Sequence, residues 1–203
     1  MFTGIISGLG LVVAIVRKLN FRTYIIKFPE NLLYKLYVGA SVSINGCCLT
    51  VVNFYNNLVY FDVVFNTFLC TNFKFIKINE FINLERALKL GDEVGGHLIS
   101  GHVMTIAIKC NIKKNNNFTQ VWFKIINKKF MKYIFLKSFI CVNGVSLTVS
   151  KIDNYKFSVN LIPQTLFDTN LSLITIGSYV NIEIDIYTKM IIDQININTK
   201  NLL

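Results

Sequence analysis

Proline is nearly absent from this chain, with two in 203 residues, so no proline-stiffened linker separates domains. Charge is scarce as well. Asp, Glu, Lys and Arg make up 16% of the residues against 53% hydrophobic, a balance that excludes disorder and leaves ample material for a core. No uncharged apolar run approaches the roughly 18 residues of a membrane span. The greasiest stretch, FMKYIFLKSFICV, is broken by Lys132 and Lys137. Met1 runs directly into FTGIISGLG, without the basic segment or small-residue cleavage site of a secretory leader. A soluble, cytoplasmic protein with no membrane partner is expected.

Acidic residues are few, 11 against 21 basic ones, for a net charge of +10. That balance invites a nucleic-acid partner. The lysines are scattered, however, with no block of five like charges and no stacked-aromatic module, so none is expected. Asn, Ile, Lys, Phe and Tyr are abundant together, which reads as the compositional drift of an AT-rich genome. The five cysteines (47, 48, 70, 110 and 141) are odd in number and lack a CxxC pair, which suits reduced thiols rather than a disulfide framework. Cys70, Cys110 and Cys141 read as buried small hydrophobes. Only two histidines occur, His97 and His102. In a strand that spacing puts them on opposite faces, which disfavours a shared metal; His97 reads as structural.

What the sequence does contain is a repeat. INGCCLTV at 44–51 returns as VNGVSLTV at 142–149, a shift of 98 that holds without a gap from 39–73 onto 137–171. INLE at 82–85 falls on VNIE at 180–183, and Gly4-Ile5-Ile6 falls on Gly101-His102-Val103 with a shift of 97. A chance turn does not keep register so far; this is a tandem duplication. Asn-Gly between alternating apolar residues is a strong hairpin signal, because both central residues of a type I′ turn need positive φ. After the turn, period-two alternation puts Cys47, Leu49 and Val51 on one face and Cys48 and Thr50 on the other. In the second copy Val145, Leu147 and Val149 oppose Ser146 and Thr148. The Leu/Val faces belong to a core, and the small polar faces are free for solvent or ligand.

The expected fold is mainly β: two similar small antiparallel Greek-key barrels plus a short C-terminal helix. The expected units are 1–96, 97–186 and a helix at 187–203 serving oligomer contact, with the barrels joined around 87–97. Other helices are expected at 30–37 and 127–135.

MFTGII, GASVSINGCCLTV, GGHLISGHV, MKYIFLKSFICVNGVSLTV and LIPQTLFDTNL, in that order, resemble the riboflavin synthase family of the α-chain type across essentially the whole chain. The resemblance implies a transferase that dismutates two molecules of 6,7-dimethyl-8-ribityllumazine. One gives a four-carbon unit to the other, yielding riboflavin and 5-amino-6-ribitylaminouracil, with neither metal nor cofactor. It implies a homotrimer whose sites lie between the N-terminal barrel of one subunit and the C-terminal barrel of the next, and an association with lumazine synthase.

Carried over by motif, the substrate-binding positions of the first barrel are Gly4, Ile5, Ile6, Cys48, Leu49, Thr50, Asp62, Val63, Val64, Phe65, Asn66 and Thr67. Those of the second are Gly101, His102, Val103, Lys137, Ser146, Leu147, Thr148, Ile162, Pro163, Gln164, Thr165, Leu166 and Phe167. Catalytic positions are Ser41, Cys48, His102, Lys137, Thr148 and Asp185. His102 is the candidate to assist deprotonation of the acidic 7-methyl group; Cys48 or Ser41 would deliver or position a nucleophile at C7 of the partner ring. Two departures stand out: the family's usual Glu before Thr is Asn66 in one copy and Gln164 in the other, which keeps hydrogen bonding but not charge. Two identical substrates with unlike roles call for copies that diverge, and Ile5/His102, Cys48/Ser146 and Gly39/Lys137 do. The alternatives are a lumazine- or flavin-binding protein without turnover and the barrel of a flavin reductase. The reductase would need a Gly-rich nucleotide-binding unit that these residues do not contain.

Overall fold

A computed structural model describes residues 1–200. Six strands form the first barrel: β1 (Gly8–Arg17), β2 (Phe21–Lys27), β3 (Ser41–Ile44), β4 (Cys47–Tyr55), β5 (Leu58–Val64) and β6 (Phe81–Arg86), closed in the order β1-β2-β5-β4-β3-β6. Six more repeat it: β7 (Thr105–Lys114), β8 (Thr119–Ile125), β9 (Phe139–Val142), β10 (Val145–Asp153), β11 (Lys156–Leu161) and β12 (Tyr179–Ile184), in the order β7-β8-β11-β10-β9-β12. Every pairing is antiparallel. β2 beside β5, after the β3-β4-β5 meander, makes a Greek key.

The duplication extends to irregularities. β1 and β7 break register between Val12/Ala14 and Lys109/Asn111, and β4 and β10 between Val51/Asn53 and Val149/Lys151. Such bulges bend strands enough to close a small barrel. Asn45-Gly46 (φ 47° and 78°) and Asn143-Gly144 (φ 48° and 83°) have the positive angles of a type I′ turn. The inward faces read from the alternation are buried: Cys47, Leu49 and Val51 fill one core, and Val145, Leu147 and Val149 the other.

The helices differ from expectation. Residues 30–32 and 128–133 are only 3₁₀ turns; Lys35, at φ 52°, turns the chain away from helix in the first. Instead, α1 (Phe65–Cys70) follows β5 and α2 (Pro163–Asp168) follows β11, so the Asn66-Thr67 and Gln164-Thr165 pairs sit on short helices. α3 (Ile186–Lys200) forms despite its Asn and β-branched content; the expected 201–203 lie outside the described residues. Asp185 caps α3, accepting from Thr188 N (2.9 Å) and Oγ1 (2.8 Å). Asp193 ties the helix to the second barrel through Tyr133 Oη and Lys132, while Ile192 packs on that barrel's core. Cys141 is buried as expected, but Cys110 is half-buried and Cys70, on the last turn of α1, is exposed.

The barrels meet through six buried asparagines. Asn83 Nδ2 donates to Asn143 O and Asn181 Nδ2 to Asn45 O, each at 2.8 Å. Asn72 N donates to Asn181 Oδ1 (2.6 Å) and Asn170 N to Asn83 Oδ1 (2.7 Å). Each bond is worth about 1 kcal/mol net, and each partner stripped from it about 1–3. The two Asn-Gly turns touch here, since a Cβ on Gly46 would lie 2.6 Å from Gly144 N. Glycine is therefore required twice, by the turn and by the contact.

Candidate functional site

On each barrel the outward face of the hairpin strand carries the small polar residues. Cys48 and Ser146 are half-buried, and Thr50 and Thr148 exposed. Ser41 pairs with Thr50 and Phe139 with Thr148 across the strands. Val64, which ends β5, is exposed, as are Phe65 and Asn66 on α1, where Thr67 is half-buried; beyond β11, Ile162, Pro163, Gln164 and Phe167 are exposed, with Thr165 and Leu166 half-buried on α2. Thr71 Oγ1 donates to Thr67 O (2.7 Å) and Thr169 Oγ1 to Thr165 O (2.6 Å), which fixes both helices alike. Asp62 accepts from Thr23 Oγ1 at 2.6 Å. Leu49, Val63 and Leu147 point into the cores, so toward a ligand they offer only main chain.

The glycine segments break the sequence-based grouping. Gly101 O accepts from Cys48 N of the first barrel (2.8 Å), and Gly4 O from Ser146 N of the second (2.9 Å). Val103 packs on the first core and Ile6 on the second. Thus Gly4, Ile5 and Ile6 complete the second barrel's face, and Gly101, His102 and Val103 the first. An antiparallel bridge between Phe2 and Ile99 joins the crossing segments.

A buried carboxylate anchors each crossing. Glu85 on β6 accepts from Thr3 N (2.6 Å), Thr3 Oγ1 (2.7 Å) and Gly4 N (3.0 Å). Glu183 on β12 accepts from Ser100 N and Oγ (both 2.7 Å) and Gly101 N (3.0 Å). Burial raises the pKa of both acids, and these hydrogen bonds oppose it. Neither glutamate was among the expected site residues. Their signal was present in INLE and VNIE, where an acid recurs inside an otherwise apolar strand.

The first face therefore gathers Ser41, Cys48, Thr50 and the exposed His102, and the second gathers Lys137, Ser146, Thr148 and Ile5. Lys137 is exposed at φ 65°, its N bonded to Val149 O at 2.8 Å; Gly39 holds the same bond to Val51 O. Asp185 lies at the edge of the second barrel with one oxygen committed to Thr188. Cys47, beside Cys48, points into the core, away from this face, and burial pushes its thiol pKa up to about 12. His97, read as structural, is buried with Nδ1 2.7 Å from Ser146 Oγ. Burial lowers its pKa, and Asp185 opposes the shift. A cavity of about 1320 Å³ lies over the asparagine contact between Arg17, Arg22, Phe75 and Tyr179, and none of the expected site residues lines it.

The lumazine binding domain family matches this chain twice, over residues 3–87 and 100–185. Riboflavin synthase of Escherichia coli (strain K12) is 45% identical over 96% of this chain and 92% of its own length. The chain belongs to the riboflavin synthase family. Riboflavin synthase of Chlamydia pneumoniae is 39% identical over 96% of this chain and 95% of its own. Among solved structures, LumP complexed with riboflavin superposes with a TM-score of 0.85 at 29% identity, covering 91% of this chain and 100% of LumP. LumP complexed with 6,7-dimethyl-8-(1'-D-ribityl)lumazine gives 0.83 at the same identity. Each match covers one barrel together with the glycine segment that crosses to complete the other barrel's face.

Proposed function

We propose that this protein is a riboflavin synthase that disproportionates two molecules of 6,7-dimethyl-8-ribityllumazine, one bound on each barrel's outward face. The carrying observation is the reciprocal crossing: each face is completed by the other half's glycine segment, so the two sites form only together. Main-chain groups beside Gly4 and Gly101, with the hydroxyls of Thr50, Thr67, Thr148 and Thr165, suit the polar edge of the ring and the ribityl chain. The four-carbon transfer balances between two identical molecules, so the protein's work is to hold them face to face. His102 assists removal of a 7-methyl proton, and Cys48 or Ser41 directs a nucleophile to C7 of the partner ring. Lys137, Thr148 and Asp185 serve the second molecule.

The two faces of one chain point outward on separate barrels, which suits a homotrimer pairing the first barrel of one copy with the second of the next. Tyr187, Met190 and Ile191 on α3, each more than 60% exposed, supply apolar surface for that contact. A cytoplasmic location and association with lumazine synthase complete the reading. Mixing purified protein with dimethylribityllumazine and following riboflavin absorbance tests it. Riboflavin and the pyrimidine product should appear in equal amounts; binding of two lumazines with no riboflavin formed would instead mean a protein that holds lumazine without turnover.

A further inference from the structure

His97 is 7% exposed, so its polar ring atoms need partners inside the protein. Its ring stacks on Phe139, with centroids 5.1 Å apart and planes 14° apart, and its N donates to Thr3 O at 3.1 Å. Thr3 is the residue Glu85 grips, so the main chain of His97 is held there while Phe139 packs against its ring. In this pose Nδ1 lies 2.7 Å from Ser146 Oγ. Cys48, the matching residue on the first barrel, has no side-chain hydrogen bond among the described residues, and Phe139 itself stands where the first barrel has Ser41.

Resting on the reading of this face as a lumazine site, we infer that His97 is a positioning residue for the second barrel. Its neutral Nδ1 accepts a hydrogen bond from the Ser146 hydroxyl and turns the serine oxygen's lone pairs toward an N–H or hydroxyl of the bound molecule. Neutrality follows from burial, which makes the imidazolium costly. A neutral ring protonated on Nε2 leaves Nδ1 as acceptor. The first barrel offers the partnerless Cys48 thiol, a weak donor and weak acceptor, at the same place. The second face thus presents an oriented acceptor where the first presents an uncommitted thiol, which is how a duplicated site can hold two identical molecules unequally.

Two measurements test this. Imidazole ¹⁵N spectra of the ligand-free wild-type protein should show His97 as the Nε2–H tautomer; an Nδ1–H tautomer would overturn the inference. Titration with dimethylribityllumazine should then separate three variants. His97→Phe keeps the stacking on Phe139 but should weaken the second-barrel event about tenfold, the scale of one hydrogen bond, and leave the first unchanged. His97→Asn, whose amide oxygen can take the place of Nδ1, should recover most of the loss. In a Ser146→Ala background, which marks the second-barrel event, His97→Phe should do nothing more. Two lumazines bound by His97→Phe with unchanged affinities would sink the inference alone. A wild-type protein that binds none would sink the site reading first.

Discussion

The two barrels differ in their cores and on their outward faces, but in opposite ways. Inside, a change is compensated. Tyr24 of the first barrel donates from Oη to Phe73 O at 2.7 Å. Its counterpart Val121 has no such group, and Lys109, standing where the first barrel has Val12, takes the task. Lys109 Nζ reaches Leu171 O (2.9 Å) and Ile174 O (2.7 Å) while only 2% exposed. The carbonyl at the same place is satisfied by a different residue. Outside, Ser41 against Phe139, Cys48 against Ser146, Gly39 against Lys137 and Ile5 against His102 have no such balancing exchange. Compensated differences preserve a fold; uncompensated ones divide the labour between two sites.

The most damaging way to break the comparison is to block a crossing. Gly101 sits at φ +82° with the space for a Cβ taken by Cys48 Cβ at 2.5 Å and Cys48 N at 2.9 Å. Gly101→Val should cost roughly 3 kcal/mol or more in denaturant unfolding, combining left-handed strain with overpacking. Gly4→Val, which meets Ser146 Cβ at 2.6 Å, should cost as much. In whatever protein folds, Gly101→Val should spoil lumazine binding on the first barrel and Gly4→Val on the second. Damage confined to each glycine's own half would refute the exchange.

A milder pair keeps the backbone and changes the anchors. Glu183→Gln and Glu85→Gln should each cost about 1–3 kcal/mol, with binding weakened on the first face by the former and on the second by the latter. Each carboxyl holds its proton more tightly in the folded chain than at its usual value of 4.5. Its contribution is then fully present below about pH 4.5 and declines as pH rises through 4.5 toward the folded value. Wild type should therefore lose stability relative to Glu85→Gln across that interval; a difference independent of pH would contradict the assignment.

Much of this arrangement was legible beforehand. The Asn-Gly turns, the inward Leu/Val faces and the outward Cys48, Thr50, Ser146 and Thr148 follow from local alternation, which a strand converts directly into sides. The crossing was not legible. A constant shift says that Gly4 and Gly101 are equivalent, but equivalence cannot say which barrel each one touches. α1 and α2 escaped because six residues are too few to show a helical period, and neither has a side-chain cap. His97 was read as structural because its partner, Ser146, is remote in sequence and lies across the interface between halves.

The smallest expected effect concerns the two departures from the family's glutamates. Gln164 Nε2 donates to Asp168 Oδ2 at 2.6 Å, one turn along α2. Gln164→Glu would set two carboxylates four residues apart and should cost about 0.2–0.5 kcal/mol. Asn66→Glu faces Cys70 at that spacing and should be close to neutral by the same thermal or denaturant assay. Equal effects would mean that the two helices are not distinguished by this contact.

The most direct test of the central claim is a structure of the protein with dimethylribityllumazine bound. The account predicts one molecule against Cys48, Thr50 and the Gly101–Val103 segment, and another against Ser146, Thr148 and the Gly4–Ile6 segment. A molecule held by one barrel together with that barrel's own glycine segment, or seated in the groove over the asparagines, would contradict it.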